Sequence, residues 1–443
     1  MTALNTLMDI TRQDAYAQLA LSARLRESRL SRLDRDFVTE LVYGTLERLI
    51  TLDYYLNSAL EKPELDAVVR DILRLGAYQI LYLDRVPDHA AVDESVKLAR
   101  LLRRDAFSGL INGVLRGLAR AKEAGRLPLP KEWNPVLHLS VENSMPVWIV
   151  EKLIDAYGFD TARDICQYRD PVHPMTVRIT KARTTPPEFE ALMQNRGWTY
   201  RNTSLPGVYH VTGASDVGLD RAFQAGLYSV QGESSILAAM AVSPKPGQTV
   251  LDACAAPGGK TACLVEMMRG TGRVHAWDIH EHRVEMIRSM IKRLRLDTVR
   301  PAVRDASKVK EDWMGAVDAV LLDAPCSGLG VMLSKPDVKY RQSPESAESL
   351  AKLQAGLLDA CCQYVKPGGT LVYATCSILP EENGEQIGAF LKRHPQFVPD
   401  TEGLQKALPS LYADRIENGK LQLFAHRDEV EGFFIARMKR EKP

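Results

Sequence analysis

The chain has 443 residues, of which 45% are hydrophobic and 26% charged, with a formal net charge of +1. That composition is ordinary for a soluble globular protein and rules out a shortage of core-building residues, the net charge says little about partners, and the length calls for several globular domains. Seven cysteines are scattered with no zinc-type or disulfide-framework spacing, which points to a reducing compartment and no metal. The longest apolar stretches, such as Ile236–Val242, are too short to span a bilayer, and Asp9, Arg12 and Asp14 interrupt any N-terminal leader, so a cytoplasmic, membrane-free protein is expected.

Apolar residues recur at three- and four-residue spacing in Leu19–Leu33, Phe37–Leu49, Val68–Leu83, Ala90–Leu102 and Phe107–Leu118, which predicts an all-α domain over residues 1–130. Breaks fall at Lys62-Pro63 and Val86-Pro87-Asp88, and Leu127-Pro128-Leu129-Pro130 reads as a linker. Residues 131–230 suggest a small α+β module, with helices at Pro146–Tyr157 and Pro187–Arg196 and a strand at Met175–Ile179.

Over residues 231–443 strands and helices alternate. Strand candidates are Thr249–Ala253, Val274–Asp278, Thr298–Val303, Ala319–Asp323 and Thr370–Thr375, separated by helices such as His282–Arg295 and Ser349–Tyr364. This alternation predicts an α/β Rossmann-like domain with a parallel sheet, whose ligands bind beyond the carboxyl ends of the strands.

The first strand runs into Cys254-Ala255-Ala256-Pro257-Gly258-Gly259-Lys260-Thr261. Glycines let backbone amides approach a ligand, and a helix starting near Thr261 adds its positive end. The loop lacks the first glycine of a phosphate-binding P-loop, since Cys254 stands there, and it lacks the dinucleotide G-x-G-x-x-G. Asp278 ends the second strand, where an acid holds ribose hydroxyls, and Asp305 follows the third, where it can face an adenine edge. Each acid alone is an ordinary surface residue; together they outline a nucleoside pocket.

Two cysteines follow strands and precede turns: Cys326 in Asp323-Ala324-Pro325-Cys326-Ser327-Gly328, and Cys376 in Ala374-Thr375-Cys376-Ser377. Free cysteines are usually small core residues, which suits Cys166, Cys254, Cys263, Cys361 and Cys362. Cys326 and Cys376 would instead face the ligand crevice, where a thiolate is a nucleophile. A thiolate added to carbon 6 of cytosine makes carbon 5 enamine-like and able to attack a sulfonium methyl group. Asp323 is placed to pair with the base's exocyclic amino group or N3.

The stretches DACAAPGGKT (252–261), LLDAPCSG (321–328) and YATCS (373–377), together with KPDVKY (335–340), LPEEN (379–383) and EGFFIARM (431–438), resemble the RNA 5-methylcytosine methyltransferases, in particular the bacterial enzymes acting on small-subunit ribosomal RNA. RDFVTELVYGTLE (35–47) and SGLINGVLRGLAR (108–120) resemble the domain of the antitermination factor NusB, which implies an RNA-binding N-terminal domain. The resemblance implies Cys376 as nucleophile and Cys326 as the residue that assists release. It also implies S-adenosyl-L-methionine held by Cys254, Ala255, Ala256, Pro257, Gly258, Gly259, Lys260, Asp278, Asp305 and Asp323. The implied substrate is 16S ribosomal RNA before subunit assembly; a monomer is the default expectation for the oligomeric state. The sequence departs from the family pattern at Gly232, where an acid is usual, at Leu333-Ser334, and at Glu431, where Asp is frequent.

Between Ser95 and Arg126 eight basic residues, among them Arg100, Arg103, Arg104, Arg116 and Arg120, face only two acids, a composition that suits a phosphate grip or a plain solvated helix face. Tyr340 and Arg341 are candidates to border the base pocket, which must receive an unpaired or flipped cytosine. Competing readings are a DNA-type mechanism with Cys326 of the Pro325-Cys326 motif as nucleophile, an assembly factor with a vestigial pocket, and, more weakly, a nucleotide hydrolase.

Overall fold

The computed structural model describes residues 1–169, 174–214 and 217–442. The chain forms two compact units: Met1–Tyr168 with Ser334–Arg341, and Arg169–Leu333 with Gln342–Pro443.

The first unit is helical. Its helices include Thr2–Gln13, Arg32–Glu47, Ala67–Tyr82, Asp88–Leu101 and Ser108–Glu123. Helix Ala67–Tyr82 shows why they form. Asp66 caps its first amides (Val68 N at 2.9 Å, Val69 N at 3.2 Å), and Val69, Ile72, Leu73 and Ile80 recur on one buried face. The unit continues beyond residue 130 through helices Pro135–Asn143, Val147–Tyr157 and Phe159–Gln167. A mixed module is expected from residue 131; the strands begin only at Met175.

Ser334–Arg341 packs within this helical unit. Asp337 accepts the Ala17 amide at 3.1 Å, the buried Lys339 donates to the Glu47 carbonyl at 3.0 Å, and the Tyr340 hydroxyl meets Ser144 Oγ at 3.0 Å. Arg341 pairs with Asp14 at 2.7 Å. Tyr340 and Arg341, expected to border the base pocket, both take hydrogen-bond partners within the helical unit.

The second unit holds two sheets. Strands β1 (Met175–Ile179), β2 (Thr199–Asn202), β3 (Val208–Thr212) and β4 (Tyr228–Val230) form an antiparallel sheet in the order β2-β3-β1-β4. Its Arg178 is buried, donates to Gln231 Oε1 at 3.1 Å and pairs with Glu266, and this tethers the module to helix Gly259–Met267. Cys263 joins the same network through Gln231.

The larger sheet contains β5 (Thr249–Asp252), β6 (Arg273–Asp278), β7 (Val299–Val303), β8 (Val317–Asp323), β9 (Val365–Thr375), β10 (Phe397–Pro399), β11 (Lys420–Leu423) and β12 (Phe433–Arg440). Its order is β10-β12-β9-β8-β5-β6-β7, with β11 paired to β12. The five predicted strands are parallel, but β10, β11 and β12 are antiparallel, so the sheet is mixed rather than purely parallel. The cause is local: β11 returns through the short helix Ala425–Asp428 into β12, which enters beside β9 in the opposite sense. Because β6 and β7 lie on one side of β5 while β8 and β9 lie on the other, the sheet has a switch point between β5 and β8, where a crevice opens.

Candidate active site

The turn after β5 is built for close approach. Thr261 Oγ1 donates to Asp252 Oδ2 at 2.6 Å and ties the first turn of helix Gly259–Met267 to the strand end. Gly258 has φ +108°, and a Cβ there would lie 2.4 Å from Met290 Cε, so only glycine fits. The helix begins at Gly259, two residues before the expected start.

A cleft of about 270 Å³ opens at the switch point. Of the predicted residues, Cys254, Ala256, Asp278, Asp305, Asp323, Cys326 and Cys376 line it. Ala255, Pro257, Gly258, Gly259 and Lys260 do not: Ala255 is buried in the core and Pro257 is exposed, so any part they play in holding a ligand runs through the shape of the turn. Lys260 turns to Asp323, with Nζ 2.5 Å from Oδ2, and lies over the Phe433 ring at 5.5 Å. Burial opposes its charge, but Asp323 and Asp252 outweigh that and hold its pKa above the ordinary lysine value. Burial pushes Asp252 the other way, up to about 7, against the Thr261 hydrogen bond and the Lys260 charge.

Sequence reasoning missed the apolar walls. Ile279, 52% exposed although apolar, follows Asp278 directly, and Leu353 and Leu357 stand one turn apart on helix Pro344–Cys361. The i, i+4 leucine pair was legible, but it also fits an ordinary core stripe. Arg283 and Arg304 also line the cleft; Arg283 Nε lies 3.4 Å from Asp278 Oδ2, and Arg304 covers the Trp277 ring at 4.9 Å.

Asp252 Oδ1 and Asp278 Oδ2 are buried and accept no hydrogen bond among the described residues, the latter having only its ion pair with Arg283. Asp278 opens on the cleft beside Ile279, an acceptor next to an apolar surface, and Asp305 caps its own turn through Ser307 at its rim. This donor-seeking, half-apolar set fits the ribose and adenine of S-adenosylmethionine.

The two cysteines stand at the ends of neighbouring strands, β8 and β9, where Asp323 is in register with Ala374. Their sulfurs are 3.3 Å apart. The hydrogen bond to Cys376, burial, and the nearby charges of Cys376 and Glu382 push the Cys326 thiol well above the ordinary range. In that contact either sulfur can be the donor. Burial likewise pushes the Cys254 thiol well above the ordinary range.

The predicted basic residues lie in the helical unit. Arg100, Arg103, Arg116 and Arg120 are exposed, whereas Arg104 is half-buried and paired with Asp66 at 3.0 Å. Among the described residues no group of histidine, cysteine and acidic side chains could hold a metal ion, and no helix is long and apolar enough to cross a membrane.

Comparison with known proteins agrees in every part of the chain. The model of the NusB family matches residues 1–120, that of the RsmF/B-like ferredoxin-like domain residues 145–217, and that of the 16S rRNA methyltransferase RsmB/F family residues 239–439. The probable ribosomal RNA small subunit methyltransferase B of Bacillus subtilis (strain 168) is 37% identical over 99% of this chain and 98% of its own. The ribosomal RNA small subunit methyltransferase B of Klebsiella pneumoniae (strain 342) is 33% identical over 93% of this chain and 91% of its own. The solved structure of PH0851 superposes with a TM-score of 0.82, at 26% identity, over 99% of this chain and 98% of that one. With homology along its whole length and a sheet crevice of methyltransferase type, the chain belongs to the RsmB/F family of 16S rRNA methyltransferases.

Proposed function

We propose that this chain methylates carbon 5 of a cytosine in 16S ribosomal RNA, with Cys376 as covalent nucleophile and Cys326 assisting its release. One observation carries the reading: two thiols 3.3 Å apart face the same cleft as the acid-lined nucleoside pocket. Methylating a nitrogen or oxygen needs no thiol. Carbon 5 does, because it becomes nucleophilic only after carbon 6 has been attacked.

Cys376 thiolate forms an S–C6 bond and drives the ring's electron pair toward carbon 5. S-adenosylmethionine, when bound, supplies the electrophilic methyl group. The carbon-5 proton then leaves to a base, the C5–C6 double bond reforms, and the S–C6 pair returns to Cys376. Cys326, held as a thiol, donates S–H to the sulfur as negative charge returns to it. Asp323, fixed by Lys260, holds the amino edge of the cytosine. The Cys254–Lys260 turn, Asp278 and Asp305 hold the cofactor, with Ile279, Leu353 and Leu357 as its apolar walls. Arg100, Arg103, Arg116 and Arg120 grip phosphates, which fixes register without reading sequence. The target base is unpaired or flipped, an operation costing a few kcal/mol that favours RNA before subunit assembly, and the working form is a monomer.

Bisulfite sequencing of 16S RNA treated with the wild-type protein, Cys376→Ala and Cys326→Ala tests this. The wild type yields 5-methylcytosine, Cys376→Ala yields none, and Cys326→Ala accumulates a protein–RNA adduct. An adduct from Cys376→Ala instead would move the nucleophile to Cys326.

A further inference from the structure

A third side chain, outside the cleft lining, ties the two cysteines together. Glu382 is fully buried, and the donors around its carboxylate come from both cysteine loops. Oε1 accepts the Ser327 amide at 2.8 Å and Gln354 Nε2 at 3.0 Å. Oε2 accepts the Ser327 hydroxyl at 2.5 Å and the Ser377 hydroxyl. Ser327 follows Cys326 and Ser377 follows Cys376, and their two hydroxyls meet at 3.0 Å. Gln354 also donates to the Pro325 carbonyl at 2.9 Å, so the peptide before Cys326 is held from the same side. The next residue, Asn383, accepts from Thr375 Oγ1 at 2.5 Å and donates to the Ser377 carbonyl at 2.9 Å, which brackets Cys376. A buried carboxylate with only neutral donors is costly, and such a cost is retained where it fixes geometry.

We propose that Glu382 is the positioning residue of the thiol pair: its carboxylate clamps the Cys326 and Cys376 loops at their working separation. The proposal rests on the two-cysteine reading above. It also accounts for the division of labour, since a negative charge beside Cys326 disfavours a second thiolate and leaves one nucleophile and one S–H donor.

Glu382→Gln, which keeps shape and removes charge, is compared with the wild-type full chain. Site-resolved alkylation by iodoacetamide, followed by mass spectrometry over a pH series, should show Cys326 reacting severalfold faster at a given pH in the variant, with onset at lower pH. Methyl transfer to 16S RNA should fall in kcat by about a hundredfold, the order expected when reacting groups lose alignment, with the Kd for S-adenosylmethionine unchanged. An unaltered Cys326 profile together with unaltered kcat overturns the proposal. So does parallel loss of cofactor binding, which would make Glu382 a general fold residue. If Glu382→Gln does not fold, Ser377→Ala removes one clamp donor and keeps the charge: kcat should drop while the Cys326 profile stays, and wild-type kcat would overturn the clamp. The alkylation arm needs no RNA, so wild-type protein that makes no 5-methylcytosine would defeat the carbon-5 reading without touching this result.

Discussion

The Gly330 amide donates to the Cys376 carbonyl at 2.9 Å, and the Gly330 carbonyl in turn accepts the Gly432 amide at 2.9 Å. The loop after Cys326, the end of β9 and the entry to β12 are thereby laced together by main chain alone. A Cβ on Gly330 would lie 2.0 Å from the Gly432 carbonyl oxygen and 2.9 Å from that of Cys376. Backbone cannot yield as a flexible side chain does, so Gly330→Ala should cost about 3 kcal/mol, at the upper end for overpacking. Thermal melts of the two proteins check this, and methylation should fall with stability because the displaced carbonyl belongs to the nucleophile.

Lys260 and Asp323 form a largely buried pair at 2.5 Å. Removing one partner strands the other's charge, so Lys260→Met and Asp323→Asn should each destabilise the protein by about 3 kcal/mol. The double variant should lose less than the sum, with a coupling of about 1–3 kcal/mol. Denaturant titration of the four proteins completes the cycle; additivity would mean that the pair does not act as a unit.

Asp252 gives a pH prediction. Its carboxyl titrates near 3.8 when free and near 7 in the folded protein, chiefly through burial. The folded state thus keeps its proton longer than the unfolded state, and this group's favourable contribution is lost as pH rises from about 4 to about 7. Asparagine cannot ionise. The stability of Asp252→Asn relative to wild type should therefore rise by about 2–3 kcal/mol between pH 5 and pH 8. A flat difference would place the ionised carboxylate in the native fold at both pH values.

The thiol pair is open to oxidation. At 3.3 Å the sulfurs need approach only to about 2.05 Å to bond. Hydrogen peroxide should oxidise Cys376 to a sulfenic acid, which Cys326 displaces to give a disulfide, with two molecules of water released per peroxide consumed. Peptide mapping should find the Cys326–Cys376 crosslink, methylation should stop, and dithiothreitol should restore it. Peroxide-treated protein that keeps two free thiols and full activity would refute this.

Much of the architecture was legible because periodicity reports burial directly. Helix Ala67–Tyr82 matches the stripe Val68–Leu83 within a residue at each end, and the five parallel strands fall where apolar runs end in acids or cysteines. Helix Thr2–Gln13 was missed because its buried face, Leu4, Leu7 and Ile10, is crossed by Asp9 and Arg12, which interrupt a linear reading but not a helical one. Strand β12 stayed hidden as a strand because pairing with β9 is a long-range choice that no local pattern announces. The departures at Gly232 and Glu431 looked independent in sequence. In space they meet: a Cβ at 232 would lie 3.0 Å from Glu431 Oε2, so the longer acid at 431 occupies the room an acid at 232 would need. Glu382 entered the sequence reading only as part of LPEEN, and its place between the cysteine loops could not be read there, since four donors from distant segments converge on it only after folding.

The eight residues Ser334–Arg341 belong to the helical unit although the chain on either side of them belongs to the other. A chain begun at residue 169 would keep every strand of the large sheet yet strip this loop of Ala17, Glu47 and Ser144, leaving Asp337, Lys339 and Tyr340 without the partners that bury them. The methyltransferase portion is thus not a detachable module. Its last four sheet strands, β9 to β12, lie downstream of a stretch whose hydrogen-bond partners are in the N-terminal helical unit, so the order of synthesis, helices first, supplies that stretch with its partners by the time it leaves the ribosome.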